Sequence, residues 1–116
     1  MTTISAAPAA LAARMFRGFA DPTRVAILLE LLPGERRVSD LVDAVGSSQS
    51  NVSGHLACLK GCGLVVDRPG ERRQVFYRLA GVEVADLLRS AERLLSINGD
   101  AIDLCGNPLM ERDRDG

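Results

Sequence analysis

The chain has 116 residues, 47% of them hydrophobic and 25% charged, with a formal net charge of −1. That length supports one folded domain, and that balance excludes a disordered chain; no apolar stretch approaches the roughly 20 residues that a bilayer helix needs, so no membrane partner is expected. The three cysteines, Cys58, Cys62 and Cys105, are an odd number for a disulfide framework, and no basic residue precedes Arg14 as a secretory signal would require, so the expected setting is the cytoplasm, with the cysteines as thiols, metal ligands or core filler.

The first periodic segment runs from about Ala6 to Phe19, where Leu11, Met15, Phe16 and Phe19 fall at helical spacing. Asp21-Pro22 follows, an N-cap and then a proline at the first helical position, and Val25 to Leu32 reads as a largely buried helix stopped by Pro33-Gly34. Ser39 is expected to cap a short third helix carrying Leu41, Val42 and Val45, with Gly46 ending it. Ser47 or Ser48 then caps a fourth helix reaching to about Lys60, and two short helices joined by a tight glycine turn predict a helix-turn-helix. Leu64 to Asp67 and Gln74 to Leu79 are β-like runs separated by Arg68-Pro69-Gly70-Glu71-Arg72-Arg73, a hairpin with a basic tip. The last helix is expected over Val82 to Ile97, with Val84, Leu87, Leu88, Ala91, Leu94 and Leu95 on one face. The whole reads as a mainly α fold with a small β-hairpin, a winged helix-turn-helix. Residues 1–98 are expected to form a DNA-binding and dimerisation domain, with the first and last helices as good dimerisation surfaces, and residues 99–116 a flexible tail carrying Cys105.

A net charge of −1 discourages a nucleic-acid partner, but its distribution does not. From Ser47 to Leu79 five basic residues face two acidic ones, a local charge of +3. In the fourth helix Val52, Leu56 and Leu59 share the core side. Gln49, Ser50, Ser53, Ala57 and Lys60 then form a small, polar face suited to a major groove, with Ser50 and Ser53 nearest the bases. Arg68, Arg72 and Arg73 on the hairpin serve as a wing on the phosphate backbone, or as gatekeeping charges on an exposed turn.

The remaining face of that helix holds Asn51, His55, Cys58 and Cys62. Cysteines four residues apart lie one turn apart on the same side, close enough for both sulfurs to reach one ion. Cys105 in the tail is the natural third ligand, and a thiolate-rich set favours soft or borderline ions such as cadmium, lead, mercury or zinc. His55 is assigned to the DNA-contacting group and left out of the metal set.

Ala20-Asp-Pro-Thr-Arg-Val-Ala-Ile-Leu, then Gln49-Ser-Asn-Val-Ser-Gly-His-Leu-Ala-Cys-Leu-Lys-Gly-Cys-Gly-Leu-Val, then Arg73-Gln-Val-Phe-Tyr-Arg-Leu together resemble the ArsR/SmtB family of metal-responsive repressors over roughly residues 8 to 97. The resemblance implies a homodimeric winged helix built on the first and last helices, bound to double-stranded operator DNA when metal-free and released by the ion. Within the family, the Cys58-Leu-Lys-Gly-Cys62-Gly-Leu spacing is similar to members that sense cadmium and lead through two recognition-helix cysteines and one in the tail, which maps onto Cys58, Cys62 and Cys105. No cysteine pair lies around Val38 to Val45, and no His lies in Val82 to Ile97, as other metal subtypes would require. A thiol redox sensor, or a mercury- or arsenite-responsive repressor, uses the same residues. An enzyme is not expected: there is no Cys-x-x-Cys motif, no βαβ pattern and a single His for acid-base work.

Overall fold

The computed structural model describes residues 2–98, with side chains from residue 7 onward. The tail from residue 99, with Cys105, lies outside the described residues. The chain divides into two compact units with the boundary between Ala80 and Gly81.

The first unit begins with α1 (Thr2–Arg17) and α2 (Pro22–Glu30), followed by the two-residue strand β1 (Arg36–Arg37). Then come α3 (Val38–Val45), α4 (Gln49–Gly61) and the strands β2 (Val65–Pro69) and β3 (Val75–Leu79). The second unit carries α5 (Val82–Ile97), at the bounds its apolar stripe predicted. Its Val84 and Leu88 are buried, whereas Leu94 and Ile97 are 58% and 79% exposed.

Local chemistry sets most boundaries. The Asp21 carboxylate accepts from the backbone N–H groups of Thr23 at 2.9 Å and Arg24 at 3.1 Å, and Pro22 takes the first turn of α2, where its missing N–H costs nothing. Asp21→Ala should therefore lower stability by about 0.5–2 kcal/mol, measured by urea unfolding; an unchanged midpoint would show that the cap is dispensable. Gly46 ends α3 in the left-handed conformation at φ 68°, with its N–H donating to the Val42 carbonyl. Ser48 opens α4, its hydroxyl accepting from the Asn51 N–H at 3.1 Å, while the Asn51 side-chain amide donates to the Ser47 hydroxyl at 2.6 Å.

One expectation needs correction. Ser39 does not cap α3: the helix starts two residues earlier than such a cap implies, Arg37 occupies the cap position without a side-chain cap bond, and Ser39 sits in the first turn. The role passes to charge, with Asp40 in that first turn favoured by the helix dipole and bonded to the Arg37 guanidinium at 3.1 and 3.3 Å. The expected hairpin of β2 and β3 is present, and β1 extends it to a three-stranded antiparallel sheet in the order β1-β3-β2. Arg36 pairs with Tyr77 and Arg37 with Phe76, while β2 pairs with β3 from Val65 opposite Leu79 to Pro69 opposite Val75.

The core of the first unit is aliphatic. Ile27 and Leu28 of α2, Leu41 of α3, and Val52, Leu56 and Leu59 of α4 are fully buried, and Leu31, Leu64 and Val65 nearly so. α2, α3 and α4 pack on one another and α4 also packs on β2, so the second helix of the helix-turn-helix is fixed from both sides.

Candidate nucleic-acid interface and thiol pair

With Val52, Leu56 and Leu59 buried, α4 is left showing Gln49, Ser50, Ser53, Ala57 and Lys60 to solvent, the face expected to meet DNA. A concave cavity of about 310 Å³ opens beside it, lined by Gln49, Ser53, Arg73, Arg37, Ser39 and Tyr77 among others. Three expected DNA contacts, Gln49, Ser53 and Arg73, thus meet around one hollow. Arg37, Ser39 and Tyr77 were missed, because nothing in the local pattern of Arg36-Arg37 marks a strand that brings this segment to the wing.

The positive charge of this surface is unevenly available. The Lys60 ammonium lies 3.1 Å from the Asp67 carboxylate. The Arg68 guanidinium donates to both carboxylate oxygens of Glu35, at 2.6 and 2.7 Å, and lies over the Phe76 ring at 4.6 Å. That guanidinium, ahead of a smaller opposing effect of burial, holds the Glu35 carboxyl below the usual carboxylate range. Arg72 and Arg73 are exposed, with no acidic side chain in ion-pair reach of either among the described residues. They are the readiest cations for phosphates.

Arg72 and Arg73 also hold the wing tip in an unusual backbone, with φ of 58° and 64°. Left-handed conformations cost a non-glycine residue roughly 1–2 kcal/mol. Arg73→Gly should therefore be more stable than Arg73→Ala, by up to about 1 kcal/mol, while both lose DNA affinity equally. Equal stability of the two variants would show that the conformation is not strained.

His55 is placed apart from Ser50 and Ser53. Its side chain is 18% exposed, and its Nε2 lies 3.7 Å from the Asp21 carboxylate that caps α2.

Cys58 and Cys62 end the same helix. Cys58 is exposed and Cys62 half-buried, and both are free thiols. α4 closes in a Schellman motif: the Leu64 N–H donates to the Leu59 carbonyl and the Gly63 N–H to the Lys60 carbonyl, each at 3.0 Å, with Gly63 left-handed at φ 79°. Cys62 occupies the cap position in a right-handed helical conformation, its N–H still donating to the Cys58 carbonyl at 3.0 Å. The two side chains therefore keep helical i,i+4 spacing although the helix stops between them. Burial, then the neighbouring Cys58 thiol, pushes the Cys62 thiol up, against a smaller downward pull from Arg14 and Arg17. Two adjacent sulfur donors can chelate a soft cation, whose remaining coordination positions call for further ligands.

A polar face on the second helix of a helix-turn-helix, followed by a basic wing, defines a winged helix-turn-helix DNA-binding protein. Residues 21–66 match the arsR family of bacterial regulatory proteins. The probable mercury resistance operon repressor of Streptomyces lividans is 42% identical over 93 residues, covering 80% of this chain and 74% of that protein. The transcriptional regulator CmtR of Mycobacterium tuberculosis is 50% identical over 76 residues, covering 66% of this chain and 64% of CmtR. A solved structure of CmtR, a cadmium metal-sensor, superposes with a TM-score of 0.58 at 49% identity, over 67% of this chain and 80% of that one. A homodimeric winged helix-turn-helix DNA-binding domain from Mycobacterium bovis superposes with a TM-score of 0.73 at 35% identity, over 78% of this chain and 83% of that one.

The chain belongs to the ArsR family. It is a DNA-binding transcriptional regulator and not an enzyme, and among the described residues no helix is long and apolar enough to cross a membrane.

Proposed function

We propose that the protein is a dimeric repressor that binds operator DNA in its metal-free form and is released by a soft metal ion held by the thiolates of Cys58, Cys62 and Cys105, with cadmium or lead as the effector. The observation that carries this reading is the pair Cys58 and Cys62, one turn apart at the end of the helix whose other face this reading turns towards DNA. An ion held there acts on the reading element itself. The similarity to a cadmium sensor and to a probable mercury resistance repressor supports a soft ion as the signal. A homodimeric relative, together with exposed Leu11 and Phe16 on α1 and Leu94 and Ile97 on α5, supports dimerisation through these helices.

Gln49, Ser50, Ser53, Arg72 and Arg73 carry DNA contact in this reading, with Lys60, Arg68 and His55 also at the interface once their protein partners are exchanged for DNA. Two recognition helices about one duplex turn apart then read a two-fold symmetric operator. The metal's contribution would be to gather thiolates; the chain's own part is to present Cys58 and Cys62 together at the end of α4.

Cadmium titration of the reduced protein, followed by thiolate-to-metal charge-transfer absorption, tests the ligand set. Cys58→Ser, Cys62→Ser and Cys105→Ser should each weaken that absorption, and a variant matching the parent removes its cysteine from the set. The thiols must lose protons to bind, and Cys62 is held above its ordinary value, so the apparent metal affinity should fall steadily as pH drops from 8 towards 6. A flat profile would contradict thiolate coordination.

A further inference from the structure

The carboxyl-terminal end of α4 is tied to α1 by one long-range contact. The Arg14 guanidinium donates to the Gly61 carbonyl at 2.8 Å, across 47 residues of sequence. Of the final carbonyls of α4, those of Cys58, Leu59 and Lys60 accept from the backbone N–H groups of Cys62, Leu64 and Gly63. Gly61 is the last helical residue, and its carbonyl takes a cation from another helix, where the negative end of the helix dipole favours positive charge.

The peptide unit between Gly61 and Cys62 is therefore gripped at both ends. Its N–H donates to the Cys58 carbonyl and its C=O accepts from Arg14. Gly61 and Gly63 flank Cys62, so the backbone there turns easily once the grip is released.

We infer that Arg14 is a positioning residue that fixes the pitch of α4 for DNA by clamping its carboxyl-terminal end to α1, and that this clamp is where a change at Cys62 is felt by the rest of the protein. The second half rests on the metal-responsive reading above; the first needs only the DNA-binding class. A Cys62 sulfur drawn onto an ion would pull on the Gly61–Cys62 peptide, and the carbonyl held by Arg14 belongs to that peptide.

The test compares the full-length parent with Arg14→Gln, which keeps helix propensity but not the cation, and Arg14→Lys, which keeps the cation. A duplex spanning the promoter of the protein's own gene is titrated with each, metal-free, at several salt concentrations. Arg14→Gln should bind about five- to tenfold more weakly, with an unchanged salt slope, an unchanged dimer by sedimentation and an unchanged fold, and Arg14→Lys should recover most of the loss. A salt slope reduced by about one contact would make Arg14 a direct phosphate ligand and overturn the clamp, as would unaltered affinity or a loss explained by dimer dissociation.

Cadmium is then added to each complex. The ratio of DNA affinities without and with metal should be smaller in Arg14→Gln than in the parent, while charge-transfer absorption is the same; an equal ratio would overturn the transmitting role. If the parent shows no loss of DNA affinity with cadmium, it is the metal-responsive reading and the transmitting role that fall, and the clamp stands or falls on the metal-free series.

Discussion

Cys62→Ser should leave metal-free DNA binding within about twofold of the parent and abolish the effect of cadmium on it. Serine replaces sulfur by oxygen at nearly constant shape, and Cys62 is only half-buried, so the Schellman closure of α4 and its N–H bond to the Cys58 carbonyl survive. The hydroxyl is a hard, protonated donor that a soft ion does not favour. Coupling between two ligands is typically about 5- to 150-fold in affinity, and the ratio of DNA affinities without and with cadmium should fall from that range to about one. A competition titration of a labelled duplex reads this directly, and a Cys62→Ser protein still released by cadmium would place the effector site elsewhere. Linkage adds that operator DNA must weaken cadmium binding by the same factor as cadmium weakens DNA binding.

Leu56→Ala should be the most damaging single change to the fold. Leu56 lies in the middle of α4 and is fully buried, in a helix that packs on α2, α3 and β2. Truncating a buried leucine costs about 2–5 kcal/mol, a large fraction of the stability of a domain this size. The melting temperature should drop by on the order of 10 °C or more at fixed protein concentration, and DNA binding should fall with it. Ala57→Ser, one residue along on the exposed face, should change the melting temperature little. A Leu56→Ala melt within a degree or two of the parent would mean that α4 is not held by this core.

Features that depend on neighbours in sequence were legible before any coordinates. Asp21-Pro22 marks the start of α2, Gly46 marks the end of α3, and the spacing of Val52, Leu56 and Leu59 identifies the buried side of α4, because capping and helical periodicity act within a turn or two. The short strand β1 was not legible, since Arg36-Arg37 has no strand pattern and becomes a strand by pairing with Tyr77 and Phe76. Nor were the pairings that redistribute charge. Arg68 meets Glu35 across 33 residues and Arg14 meets Gly61 across 47, distances at which one sequence carries no periodic signal. Within the +3 stretch Lys60 and Arg68 are engaged by carboxylates, which leaves the wing-tip arginines as its most available cations. For the thiol pair, the i,i+4 spacing and a helix ending near Lys60, between the two cysteines, were both legible, whereas the contact that ties Gly61 to Arg14 was not.

In the proposed mechanism, metal at a three-thiolate site controls DNA binding. Its most direct test is titration of a promoter duplex with reduced protein, with and without one equivalent of cadmium per protomer, for the parent and for Cys105→Ser. Cadmium should release the parent from the duplex, whereas Cys105→Ser should stay bound. DNA affinity unchanged by cadmium in the parent would contradict it and leave a winged-helix regulator governed by some other signal.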